Sequence, residues 1–301
     1  MQALLKRFFP LTCIAGLILG SVAAPAAAGL FADTAAGPQT MLLDDMALQH
    51  QRMTQAVLLI ERGKPQAYAQ LRDSYVRVTT DMKLLQGGGS SGTCKLPEPA
   101  ASLKPQVQNL AKALVATDQA AHAILDVEKQ QNHIWDAARN ISKASPDLQE
   151  LVGQLLVLRV ADRAAPGEVS SISSLSMLLV RLSKSANELA LDEEVSPEKA
   201  FMLGKDANTF GEIVKGLREG SELLHLSPAK GEAKDKAALI SKRFEGITAD
   251  VNAILQNLQR LIVHKQAVSV IINESAPALH AMQAVRNQLP AGETCMLGGN
   301  K

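Results

Sequence analysis

The chain has 301 residues, and its 31 lysines and arginines nearly balance 30 acidic residues, which leaves a formal net charge of +1. Binding to nucleic acid requires a basic excess on one face, and neither this total nor any local run of residues supplies one. Aromatic residues make up only 3% of the chain, and alanine and leucine dominate, which favours a helical fold. We therefore expect no nucleic-acid partner.

The first 28 residues have the layout of a secretory signal peptide. The start MQALLKRF carries two basic residues, an apolar run follows from residue 8 to residue 24, and a run of three alanines ends at Ala28. Cleavage near Gly29 would release the rest of the chain into the periplasm, and retention of the segment as an N-terminal anchor is the alternative. No later stretch reaches the roughly 20 apolar residues that a membrane-spanning helix needs. We therefore expect a soluble, periplasmic mature protein.

Residues 42–89 have the pattern of a helical hairpin. The first helix begins at Leu42 and ends near Gly63, and its apolar face is interrupted at His50. The second helix begins at Lys64-Pro65 and ends at a run of three glycines. As a lone polar residue on an apolar face, His50 is interpreted as a core or interface histidine whose hydrogen bonds are satisfied.

Further signals divide the rest of the chain. A third helix, long or kinked, is predicted from Ser102 to Ile141. Ser145-Pro146 is a helix-start signal, because serine caps helices and proline is favoured at the first helical position. Ala165-Pro166-Gly167 marks a break or a kink. The last region, Lys234 to Leu289, is predicted to form one or two long helices.

Residues 170–224 are predicted to form two helices folded back on each other. Apolar residues recur along the first helix at spacings of three and four, which makes a stripe that must be buried. These residues are Leu175, Leu178, Leu179, Leu182, Ala186 and Leu189. Ser196 followed by Pro197 starts the second helix.

These elements predict the fold class. No strand of useful length is indicated, and turns separate long helical segments, which is typical of an all-α antiparallel helical bundle. A weak internal repeat relates HQRMTQAVLLIERGKPQAYAQL in the first half to LVRLSKSANELALDEEVSPEKAFML in the second. We therefore expect two stacked helical modules with long helices, at residues 29–145 and 146–301.

Two cysteines follow the predicted signal peptide, Cys94 in a glycine- and serine-rich loop and Cys295 in the C-terminal tail. An even pair of cysteines in an exported protein predicts a disulfide bond. Two free or metal-binding thiols are the alternative, but neither cysteine lies in a CxxC motif or beside a histidine. We expect no metal site.

The sequence lacks the common motifs of enzymes. It contains no GxSxG, no HExxH, no phosphate-binding glycine loop and no cysteine near a histidine with an orienting partner. The six histidines are scattered, and no two of them lie at metal-binding spacing. We therefore expect neither catalysis nor a cofactor.

Three segments resemble a known family: SMLLVRLSKSANEL at 176–189, LGKDANTFGEIVKGLREG at 203–220 and INESAPAL at 272–279. They resemble the N-terminal sensory domain of the methyl-accepting chemotaxis transducers of type IV pili, the PilJ-type domain. HQRMTQAVLL at 50–59 is a fainter match in the first half. The resemblance implies an all-helical periplasmic sensor, here expected without the membrane-spanning and cytoplasmic signalling parts of those transducers.

The resemblance also implies a binding site. Arg52 and Arg181 occupy the second arginine of the family's RMLSQR motif, and Ala47 and Ser176 replace the first. In similar helical sensors such arginines face a small oxyanion across a dimer interface, because a guanidinium group matches a planar anion. Secondary polar contacts would come from Gln51, Gln55 and Asn208. The alternative is that both arginines are interface or surface residues with packed stems.

The leading functional hypothesis is a periplasmic helical sensor or binding protein. Its partners would be a small molecule or anion, or a periplasmic or inner-membrane receptor protein. A homodimer is one alternative for its oligomeric state. The alternative is a structural or envelope-assembly helical protein without a small-molecule ligand. Enzymatic activity ranks third, because no catalytic motif supports it.

Overall fold

A computed structural model describes residues 37–290 and 295–298 of the chain. The predicted signal peptide therefore lies outside the described residues. The helices are α1 (Pro38–Glu61), α2 (Ala67–Gly87), α3 (Lys104–Asp126), α4 (Glu128–Ala161), α5 (Pro166–Leu191), α6 (Pro197–Glu219), α7 (Gly231–Gln256) and α8 (Leu258–Arg286). Two short strands, β1 (Gly89–Ser91) and β2 (Cys94–Leu96), form an antiparallel hairpin between α2 and α3. Within the described residues, no helix is both long and apolar enough to cross a membrane.

The helices form two four-helix bundles. Bundle 1 consists of α1, α2, α3 and α8, and bundle 2 consists of α4, α5, α6 and α7. In each bundle every helix packs against two neighbours, and the apolar stripes meet in the centre. The predicted all-α fold with two stacked helical modules is confirmed.

Two pairs of consecutive helices join the bundles. Only Val127 separates α3 from α4, and only Asn257 separates α7 from α8. Both residues have nearly the same backbone angles, with φ near −100° and ψ near 8°. The predicted third helix is therefore two helices that meet at the level where the bundles stack, and the region from 234 to 289 also holds two helices.

The helical hairpin predicted at 170–224 is formed by α5 and α6. All six residues of the predicted stripe on α5 are buried. The hydroxyl of Ser196 accepts a hydrogen bond from the backbone N–H of Lys199 at 3.2 Å, as expected of a helix cap. Helix α6 ends at Glu219, because Gly220 has a φ of 92° and starts a short turn.

The helix start predicted at Ser145-Pro146 is wrong. Pro146 lies inside α4, and the Ser145 hydroxyl donates to the carbonyl of Ile141 at 2.7 Å instead of capping a new helix. Proline removes one backbone hydrogen bond here, but Ile141 and Leu148 on either side of it are buried between α5 and α7. The module boundary placed between residues 145 and 146 consequently falls within a helix, and α8 packs with the N-terminal helices rather than with α5 and α6.

A disulfide bond fixes the C-terminal tail to bundle 1. Cys94 in β2 and Cys295 in the tail form the predicted bridge. Beside it, the backbone N–H of Thr93 donates to the carbonyl of Met296 at 2.8 Å. Gly92, with a φ of 60°, lies against the tail backbone so closely that a Cβ atom would overlap it. Residues 295–298 therefore pack against the hairpin, close to the start of α1.

Candidate functional site

Arg181 forms an ion pair within bundle 2. Its Nη2 atom lies 2.9 Å from Oδ1 of Asp206, which joins α5 to α6. Asp206 is 3% exposed; burial raises the pKa of its carboxyl group, and Arg181 and Lys205 oppose that shift. The Arg181 side chain itself is 42% exposed. One side of the guanidinium group thus neutralises a buried carboxylate, and the other side faces solvent.

The other predicted site residues lie in two separate places. Gln51, Arg52 and Gln55 are exposed on α1 of bundle 1, and the Arg52 side chain has no ion pair with any described residue. Asn208 is exposed on α6, turned by about 200° from Asp206 around the helix axis. The structure therefore groups the three α1 residues but does not join Arg52, Arg181 and Asn208 into one site within the chain.

Bundle 1 has a cleft between α2 and α3, here named cleft 1, with a volume of about 260 Å³. Its floor consists of the buried side chains Met53, Val78, Met82, Leu114 and Thr117, and the Thr117 hydroxyl donates to the backbone carbonyl of Leu114. Because Met53 belongs to α1, the cleft reaches through the α2–α3 surface to the opposite helix. Polar side chains surround its mouth: Tyr75, Lys83, Gln86, Asp118 and Gln119.

Bundle 2 has a groove between α6 and α7, here named cleft 2, with a volume of about 440 Å³. Its lining comes from α6 and α7 alone, and Ala207 and Phe244 are its only buried lining residues among those described. Cleft 2 has a larger volume than cleft 1, but no residue of α5 lines it, whereas Met53 of α1 lines cleft 1. Asn208 lies at its edge.

A third groove, of about 970 Å³, lies where the bundles meet, between the α5–α6 turn, the end of α1 and the start of α8. Glu61 at this groove binds two buried residues of α8: its Oε1 lies 2.9 Å from Nε2 of His264, and its Oε2 lies 2.7 Å from Nζ of Lys265. Burial disfavours the charge of Glu61, but these two partners hold the pKa of its carboxyl group below the ordinary value. His264 and Lys265 interrupt an apolar stretch in the sequence, and that interruption was the available signal.

A cluster of charges connects the tail to α1 and α2. Nε of Arg77 lies 2.6 Å from Oδ2 of Asp45 and 3.4 Å from Oδ2 of Asp81, and its Nη1 donates to the carbonyl of Gly298. Burial raises the pKa of Asp81 to about 7, although Arg77 opposes the shift. Burial also disfavours the charge of Asp45, but hydrogen bonds from Arg77 and Gln49 hold its pKa below the ordinary value. The pKa values of these two neighbouring carboxyl groups are therefore shifted in opposite directions.

His50 is buried in bundle 1, as expected, but its hydrogen bonds are not satisfied. Neither ring nitrogen has a hydrogen-bond partner among the described residues, and burial lowers the pKa of its imidazole.

Within residues 37–290 and 295–298, no group of three or more His, Cys, Asp or Glu side chains is arranged to hold a metal ion.

The fold and these sites define a class: an all-helical domain with two stacked bundles and an arginine at the same repeat position of each. The chain is similar to Protein PilJ of Pseudomonas aeruginosa, with 24% identity over 256 residues, which covers 85% of this chain and 37% of PilJ. It is also similar to AlkN of Alcanivorax borkumensis, a protein named for methyl-accepting chemotaxis, with 25% identity over 170 residues, 56% of this chain and 25% of AlkN. The resemblance to the PilJ-type sensory domain is thereby confirmed.

The chain spans less than two fifths of the length of these curated relatives. No family model matches it. The match to PilJ is longer than either bundle alone, so it extends over helices of both bundles.

Proposed function

We propose that this protein is a periplasmic, all-helical PilJ-type protein that recognises a small ligand or a partner receptor and passes on its bound state by contact. The observation that carries the proposal is the similarity to PilJ over 85% of the chain. Two features support binding: a cleft in bundle 1 and exposed polar side chains beside Arg52 on α1.

A thermal-shift screen tests ligand binding. The panel contains amino acids, inorganic anions, small carboxylates and short peptides, because a ligand that binds only the folded state raises the melting temperature by mass action. We expect at least one class of compound to raise the melting temperature in a concentration-dependent way. No shift with any compound would contradict small-molecule recognition.

The location is tested separately. The full chain and a variant that lacks residues 1–28 would each carry a C-terminal tag, and both would be followed by cell fractionation. We expect the full chain, shortened by its signal peptide, in the periplasmic fraction and the variant in the cytoplasm. Retention of the full-length chain in the membrane fraction would favour the uncleaved anchor instead.

A structural or envelope-assembly role is the second candidate. It is favoured by exposed apolar side chains on α5, where Met177 is 61% exposed and Val180 is 55% exposed, directly beside Arg181. A face of this kind suits contact with another protein. Silence in the ligand screen, together with a concentration-dependent oligomer that Val180→Lys disrupts, would favour this candidate.

A further inference from the structure

Clefts 1 and 2 occupy equivalent places in the internal repeat. On the first wall, α2 contributes Tyr75, Thr79 and Lys83, and α6 contributes Ala207, Gly211 and Lys215 at the same spacing. On the second wall, α3 contributes Ala111, Leu114, Val115 and Asp118, and α7 contributes Ser241, Phe244, Glu245 and Thr248, again at the same spacing. These seven pairs align seven of the nine residues that line cleft 2 with residues that line cleft 1.

Two aromatic rings distinguish the clefts. In bundle 2, Phe210 and Phe244 stack with their ring centroids 4.0 Å apart, and both are buried. By the same correspondence, their counterparts in bundle 1 are Val78 and Leu114, which form part of the floor of cleft 1. In bundle 2 the two rings fill the space between cleft 2 and α5, so no residue of α5 lines that cleft. In bundle 1 the smaller side chains leave this space open, so cleft 1 extends to Met53 on α1.

The open space in cleft 1 is large enough for a ring. A cavity of about 150 Å³ accommodates benzene, and cleft 1, which opens to solvent at its mouth, has a volume of about 260 Å³. Two of the floor residues, Met53 and Met82, are flexible and polarizable, and methionine sulfur makes favourable contacts with aromatic rings. A planar apolar group therefore suits the floor of cleft 1.

The mouth of cleft 1 adds a charge preference. Lys83 is exposed there and has no ion pair with any described residue, so its ammonium group is available to an anion. On the other wall, Asp118 lies close enough to Tyr75 for the carboxylate to raise the pKa of that phenol further, after burial as the main cause. A ligand with one negative charge would meet Lys83, and a second negative charge would be repelled by Asp118.

We propose that cleft 1 binds a small aromatic monocarboxylate. The ring takes the place that the Phe210 and Phe244 rings occupy in bundle 2, and the carboxylate pairs with Lys83. The inference rests on the proposed binding function and names its ligand class and its site. It does not involve Arg52 or Arg181.

Phenylacetate is the probe for the first test. Titration calorimetry on the protein expressed as the full chain should show saturable binding, with benzyl alcohol at least tenfold weaker because it lacks the charge. Lys83→Gln should remove most of that difference, whereas Lys215→Gln, the matched change in cleft 2, should leave it unaltered. Equal binding of phenylacetate and benzyl alcohol, or equal effects of the two lysine variants, would overturn the assignment.

The second test fills the cleft. Val78→Phe and Leu114→Phe each place the ring of bundle 2 into bundle 1 and should weaken phenylacetate binding at least tenfold. Circular dichroism must show that the variant is folded. Independently of any mutation, protein labelled with 13C at its methionine methyl groups should show ring-current shifts at Met53 and Met82, while Met177, exposed on α5, should not move.

These results separate the inference from the proposed function. If phenylacetate does not bind, or shifts only methionines outside cleft 1, the inference is wrong. If another compound of the screening panel still raises the melting temperature, the proposed binding function stands without it. If no compound does so, both fail.

Discussion

The guanidinium group of Arg181 lies 2.9 Å from the carboxylate of Asp206, which is itself almost completely buried. An arginine that the family resemblance assigns to an external anion is thus already the counter-ion of an internal one. Any anionic ligand at Arg181 would have to share the guanidinium group with Asp206. The Arg181 side chain also stabilises the folded state through this ion pair.

Arg181→Ala should therefore destabilise the protein. The substitution leaves Asp206 buried without its counter-ion, and an unsatisfied buried polar group costs about 1–3 kcal/mol. Asp206→Asn in the same chain should recover much of the loss. Urea unfolding measures both, and Arg52→Ala, which removes an exposed arginine from the corresponding position of α1, should change the free energy of unfolding by less than about 0.5 kcal/mol. Equal losses for both arginines would contradict the assigned role of Asp206.

Asp81 should make stability depend on pH. Its pKa is about 7 in the folded protein and near 3.8 when unperturbed, so between these values the unfolded chain releases a proton that the folded protein keeps. The free energy of unfolding should therefore fall as pH rises through this window. Asparagine at position 81 cannot titrate. In urea unfolding, the free energy of unfolding of Asp81→Asn should therefore rise relative to that of the wild type from pH 5 to pH 8.

The matched control for Asp81 lies on the same helix. Thr80 is exposed on α2, and Thr80→Asn, which changes no titratable group, should shift stability by a constant amount over the same pH range. If Asp81→Asn also runs parallel to the wild type, Asp81 is ionised in the folded protein at all these pH values.

The Cys94–Cys295 bridge closes a loop with a sequence separation of 201 residues. Its removal by reduction, or by replacing both cysteines with serine, should cost about 2–4 kcal/mol of stability. Protein purified from an oxidising compartment should contain no free thiol in either the native or the denatured state. Two reactive thiols after denaturation without reductant would contradict the bridge.

Gly92→Ala should release the tail while the disulfide stays intact. A Cβ atom at this position would overlap the backbone of Met296 and Gly298, and the φ of 60° disfavours alanine as well. Hydrogen exchange should then be faster at the backbone N–H of Thr93, which donates to the Met296 carbonyl. Gly87→Ala, where a Cβ atom meets nothing within 4 Å, should leave exchange at Thr93 unchanged.

The serine-proline signal predicts the helix start correctly in the α5–α6 hairpin, at Ser196-Pro197. The same signal at Ser145-Pro146 predicts a helix start that does not exist, because these residues lie inside α4. Before Ser196 the acidic run at 192–194 ends the apolar stripe, so the local signal and the pattern agree. Around Ser145 the stripe continues without interruption, and packing against α5 and α7 keeps Pro146 inside a helix. Helical periodicity is thus a better guide here than a single capping signal.

The candidate sites were less predictable than the fold. Cleft 1 depends on Val78 and Leu114, which lie on different helices and read as ordinary core residues in the sequence. Their small size becomes evident only when the two bundles are aligned in space, because Phe210 and Phe244 then occupy the equivalent positions. The pairing of Arg181 with Asp206 likewise depends on the angle between two helices, which periodicity does not specify.

The path of the chain through the two bundles determines how they could be separated. Bundle 2 is one uninterrupted segment, residues 128–256, whereas bundle 1 is assembled from residues on both sides of it. In the order of the chain, bundle 2 thus lies between α3 and α8 of bundle 1, which pack side by side. A short turn from Asp126 to Leu258 should leave bundle 1 as a four-helix domain that keeps cleft 1 and the disulfide. A change in the tilt of α3 against α8 should be transmitted to α4 and α7, because a single residue joins each of these two helices to its neighbour in bundle 1.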